Sequence, residues 1–103
     1  MPKQDDRFEV IEDVTEGGHH MRYYKLDKPR KFKNGYGDVV VADGLYASFI
    51  EQMPITGKPQ TMVFTYDTSQ NVITSEHGMF CSSVDSVMDD SAVMALLNIA
   101  ECV

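Results

Sequence analysis

Residues 43–53 read Asp43-Gly44-Leu45-Tyr46-Ala47-Ser48-Phe49-Ile50-Glu51-Gln52-Met53. Leu45, Phe49 and Met53 recur at every fourth position, with Tyr46 and Ile50 beside them. Asp43 offers a capping oxygen and Pro54 stops the run, so the spacing predicts a helix here. A helix in this place, midway through a series of strand-like runs, makes the chain α+β.

The residues before it read as strands and turns. Phe8-Glu9-Val10-Ile11-Glu12 mixes β-branched and aromatic residues with charge, and Gly17-Gly18 marks a turn. Met21 to Leu26 alternates in the manner of an antiparallel strand with one solvated face. Pro29, which has no amide proton, breaks pairing within Asp27-Lys28-Pro29-Arg30. Asn34-Gly35-Tyr36-Gly37 is the strongest turn, because Asn and Gly tolerate positive φ. Val39-Val40-Val41 then reads as a short buried strand.

After the 43–53 segment, Thr61–Tyr66 and Val72–Thr74 form a predicted hairpin, and Met79-Phe80-Cys81 a further strand. A second helix is expected from about Asp89. It carries Met88, Ala92, Ala95, Leu96, Ile99 and Val103 on one face, widened by Val93, Leu97 and Ala100. An apolar arc that wide suits a helix laid across a sheet, with a homodimer seam through the C-terminal helix as the alternative. The expected fold is α+β: a mainly antiparallel sheet of about five strands with two helices packed on one face, residues 1–103 forming a single globular domain.

The chain has 103 residues, 43% of them hydrophobic and 24% charged, and a formal charge of −7. This is the mix of a folded domain and excludes a collagen, a coiled coil and a disulfide scaffold. The charge is unevenly placed. Residues 1–21 hold six carboxylates and two cations, a net −4. Residues 22–33 hold six cations and Asp27, a net +5. From residue 34 onward Lys58 stands alone against nine carboxylates, a net −8. No apolar run approaches the roughly 18–20 residues that span a bilayer, and the amino terminus does not read as a secretory signal. A cytoplasmic protein with Cys81 and Cys102 as reduced thiols is therefore expected.

Catalytic and metal chemistry find little footing. His19-His20 and His77/Cys81 are the available metal-binding pairs, but adjacent histidines on a strand point to opposite faces and chelate one ion poorly. Cys81 with His77 or His19 lacks an evident third group to orient the imidazole. No phosphate loop is present. The expectation is a non-enzymatic protein with no cofactor and no metal site.

Two binding readings remain. In the first, the acidic body steers a basic, nucleic-acid-handling partner protein and inhibits or neutralises it, as toxin-immunity and phage anti-defence proteins do, with carboxylates mimicking phosphates. Its expected residues are Asp38, Asp43, Glu51, Asp85, Asp89 and Asp90. In the second, the chain binds single-stranded nucleic acid through Arg22, Tyr23, Tyr24, Lys25, Lys28, Arg30, Lys31, Phe32, Lys33 and Tyr36, with cations following phosphates and rings stacking on bases. Gly35-Tyr36-Gly37 echoes the centre of the RNP1 pattern, but Asp38 stands where that pattern needs a stacking aromatic.

Overall fold

The computed structural model describes residues 6–34, 36–80, 87 and 90–102. The chain runs as an antiparallel meander of β1 (Phe8–Glu16), β2 (His19–Lys33), β3 (Val39–Ile50), β4 (Gln60–Asp67) and β5 (Val72–Phe80), paired in that order. One helix, α1 (Ser91–Ile99), follows, and a short β6 (Glu101–Cys102) pairs with β2.

The expected helix over 43–53 is a strand, which corrects the fold. The described residues hold one short helix, and the molecule is mostly sheet rather than a sheet carrying two helices. Residues 39–50 form β3, bonded to β2 on one side and to β4 on the other. Leu45 through Phe49 are all buried, so both faces of the strand carry residues withdrawn from water. That erases the alternation by which strands are recognised and leaves a continuous apolar run, which also fits a helical period. Asp43 caps no helix. Its carboxylate accepts the Thr68 amide at 2.9 Å and the Thr68 hydroxyl at 2.5 Å, pinning the β4–β5 turn.

The turns follow their residues. Gly17 and Gly18 join β1 to β2 with φ of 55° and 79°, the double positive φ of a two-residue hairpin turn. Asn34 Oδ1 accepts the amides of Tyr36 and Asp38 at 2.9 and 3.0 Å, closing the β2–β3 hairpin. In β2, Lys25 faces Gly44 while Arg30 faces Ala42, so the four residues around Pro29 have no place in the β3 ladder. The sheet bends there, and the far half of the hairpin folds inward. Its Phe32 ring lies 5.7 Å from the His77 ring of β5.

This bend defines two faces. The inner face gathers Tyr24, Phe32, Leu45, Ala47 and Val63, and α1 covers it with Ala92, Val93, Leu96 and Leu97. The expected C-terminal helix is present, laid across the sheet and starting at Asp90. Ala95 and Ile99, expected on its apolar face, are however exposed, and Ala92, Val93, Leu96 and Leu97 make the contact instead. The outer face is the convex side of that bend; on it Met21, Tyr23, Met62 and Phe64 are half-buried, while Tyr46 and Ser48 are buried.

Candidate interaction surface

A charged network holds the inner face to α1. Arg22 donates to Asp13 Oδ2 at 2.7 Å, to Asp90 Oδ1 at 2.6 Å and to the Val87 carbonyl at 2.7 Å. Tyr24 donates its hydroxyl to the same Asp90 oxygen at 2.6 Å, and His20 shares a 2.5 Å hydrogen bond with Asp13. Burial pushes Asp13 up, but hydrogen bonds from His20 and Arg22 outweigh it and hold the carboxyl below its usual 3.8. Burial raises the Tyr24 phenol, and its bond to Asp90 raises it further. These groups satisfy one another and hold the sheet to the helix.

Of the six carboxylates expected to bind a partner, the four among the described residues are not gathered at one place. Asp90 is spent on Arg22 and Tyr24, and Asp43 on the Thr68 turn. Asp38 and Glu51 are exposed, but they sit at opposite ends of the twelve-residue β3, at roughly 3.3 Å per residue. Asp85 and Asp89 lie outside the described residues.

The basic, aromatic set divides as well. Arg22, Tyr24, Arg30 and Phe32 are buried, and Arg30 pairs with Asp27 at 2.8 Å. Lys28, Lys31, Lys33 and Tyr36 are exposed on the β2–β3 hairpin, while Tyr23 and Lys25 sit on the convex face, nearer the middle of the sheet.

The centre of the convex face brings together residues from three strands. Tyr23 of β2, Tyr46 of β3 and Phe64 of β4 stand opposite one another in register. Their rings are stacked, Tyr23 on Tyr46 at 4.6 Å and Tyr46 on Phe64 at 5.5 Å, and Tyr66 meets Tyr23 edge-on at 5.0 Å. The next row is Met21, Ser48 and Met62, and beyond it His19 shares a 2.6 Å hydrogen bond with Ser48. A cleft of about 460 Å³ opens at that end, between the Gly17–Gly18 turn, Ile50–Gln52 and Gly57.

Carboxylates border this apolar centre on both flanks. Glu12 faces Tyr23 and Glu16 faces His19 on β1, while Glu76 faces Phe64 on β5. All three are exposed. Burial raises the Tyr23 phenol, with Tyr46, Tyr66 and Glu12 adding to the rise. Lys25, a cation on this face, lies 3.9 Å from Asp43.

The reading from sequence missed this surface. Tyr46 lay in the supposed helix, and Phe64 and Tyr66 in a hairpin of unknown neighbours. Glu12 and Glu16 entered only as part of the −4 segment. The usable signal was the even spacing of Tyr23, Met21 and His19 along β2.

Comparison of the chain with protein-family models, curated proteins and solved structures found no match. Among the described residues there is no helix long and apolar enough to cross a membrane, and no group of three or more metal-ligating side chains.

Proposed function

We propose that this chain is a non-enzymatic interaction protein that docks a basic protein through the convex face of its sheet. The observation that carries the reading is the stacked row Tyr23–Tyr46–Phe64, bordered by Glu12 and Glu16 on one flank and by Glu76 on the other. Protein interfaces put aromatic residues and Met at a dehydrated centre and charge at a solvated rim. A carboxylate rim selects a cationic partner and speeds its approach.

A nucleic-acid-handling enzyme or toxin in the cytoplasm is the partner class that matches this charge, and occupying its basic surface would inhibit it. Direct binding of single-stranded nucleic acid is less well supported on the same face. Base stacking needs ring faces turned to solvent, whereas Tyr46 presents its two faces to Tyr23 and Phe64 and is 8% exposed. The carboxylates beside the rings would also repel phosphates.

The test is paired capture. Wild-type protein and the Glu12→Lys/Glu76→Lys variant are immobilised and exposed to the same extract of the native host. The expected result is a basic protein retained by the wild type, lost on the variant, and released from nucleic acid when free wild-type chain is added. A partner retained equally by both overturns the assignment of this face, and an acidic partner overturns the reading altogether.

A further inference from the structure

The sheet has a second unpartnered feature, away from the convex face. β4 pairs with β3 only over Gly44–Ile50, while β2 pairs with it from Val39. One side of Val39–Ala42 therefore has no strand beside it among the described residues. In the hairpin, the Asn34 amide bonds the Asp38 carbonyl at 2.9 Å, which fixes the alternation. The main-chain groups of Asp38, Val40 and Ala42 point to β2, and those of Val39 and Val41 point outward.

This edge differs from the other two long ones. β1 carries exposed glutamates and a bulge at Ile11, and β5 carries bulges at Thr74 and His77. Charge and bulges are the usual protection of a free edge. Val39–Ala42 has neither, and its Val39 and Val41 side chains are 60% and 55% exposed. It is a short, uncharged, β-branched strand offering two donors and two acceptors.

We infer that this edge joins two copies of the chain into a dimer with one continuous sheet, the Val39–Val41 segments pairing antiparallel about a two-fold axis at Val40. In that register Val39 of each copy faces Val41 of the other. Outward-pointing groups meet outward-pointing groups, giving four main-chain hydrogen bonds, and exposed valines meet exposed valines. A two-fold pairing also closes on itself and does not propagate.

Charge favours a second copy over other occupants. The chain carries a net charge of −7, so copies repel one another in most approaches. Around this edge Lys31 stands opposite Glu101, and Lys33 stands opposite Val39, next to Asp38, so the cations beside the edge are balanced. The register sets Lys33 three strand spacings from the partner copy's Lys31. That is roughly 14 Å, beyond the screening length at physiological salt. A nearly neutral patch offers little to a nucleic acid, and an uncharged edge gives a basic partner no counter-ion.

The test is sedimentation equilibrium of the full chain, with circular dichroism to check the fold. The wild type is expected to approach twice its 11.6 kDa mass as concentration rises into the hundred-micromolar range. Val39→Lys and Val41→Glu are each expected to weaken the dimer at least tenfold. The double variant Val39→Lys/Val41→Glu sets Lys against Glu across the axis and is expected to restore it. Ile55→Lys, at a 97% exposed site elsewhere, leaves association unchanged. A wild type that stays monomeric overturns the inference. So does a dimer that survives both single charges, or a double variant no better than the singles. None of these results bears on the convex face, since Glu12 and Glu76 are untouched.

Discussion

Tyr24 donates a hydrogen bond from its hydroxyl to Asp90 at 2.6 Å, linking the middle of β2 to the residue that starts α1. The same carboxylate oxygen receives Arg22. One acceptor thus serves two donors that come from neighbouring positions on the buried face.

Removing that acceptor leaves both donors short. Asp90→Ala is expected to cost about 2–4 kcal/mol, since a largely buried guanidinium loses one of its two carboxylates. Asp90→Asn keeps an oxygen and tolerates the φ of 61° at this position, so it should cost distinctly less. Tyr24→Phe is expected to cost about 1 kcal/mol. Denaturant midpoints of the three variants check the order, and equal losses for Asp90→Ala and Asp90→Asn would remove the oxygen from the account.

His77 sets a pH dependence. It is the extra residue of a β5 bulge, which turns its ring toward Phe32, and burial lowers its pKa below the usual 6.5. The unfolded chain therefore binds the proton more readily than the folded one. The stability due to neutral His77 is full above pH 6.5 and falls as the pH drops through that value toward the folded pKa. Urea unfolding at pH 7.5 and 5.5 should show a larger loss for the wild type than for His77→Phe. The window of Asp13 lies lower, below 3.8, where protonation releases its bonds to His20 and Arg22.

Gly44 is required by contact. A methyl group there would lie 2.7 Å from Thr68 Cγ2, 2.8 Å from the Tyr24 carbonyl and 3.0 Å from the Tyr66 carbonyl. Two of those neighbours are main chain and cannot turn aside. Gly44→Ala is expected to destabilise by about 1–3 kcal/mol, read from thermal or urea unfolding. The β4–β5 turn that Asp43 pins should loosen with it, seen as faster amide exchange at Thr68.

The aromatic row should behave as a coupled unit. A double-mutant cycle of Tyr23→Ala and Tyr46→Ala is expected to return about 0.5–1.5 kcal/mol of coupling from the stacked pair. Val10 and Tyr46, which are not register partners, supply a control cycle whose coupling should be near zero.

What the sequence revealed and hid follows the physics of each segment. The Gly17-Gly18 and Asn34 turns were legible because positive φ and a side-chain acceptor are local requirements. The Gln60–Ser75 hairpin was legible from its β-branched runs, and the C-terminal helix from its wide apolar arc. Of β3 only Val39–Val41 was legible as a strand, and its Val39 and Val41 are exposed rather than buried. The part from Asp43 on was not, because a strand with neighbours on both sides and residues buried on both faces loses its alternation. The convex surface was hidden for a different reason. Tyr23, Tyr46 and Phe64 lie far apart in the chain, and only register brings them into one row.

β2 receives β1 along Phe8–Leu26 and β6 at Arg30–Lys31, so two segments roughly ninety residues apart share a single strand. On the ribosome, β1 through β5 can zip in order as they emerge, each hairpin closing on its predecessor. The apolar inner face then waits, wet and open, until Asp90 and the helix behind it leave the exit tunnel. For that interval the nascent chain is a bare sheet with Arg22 and Tyr24 uncovered. Slowing translation between β5 and α1 would lengthen the time during which chaperones, or other nascent copies, can reach that face.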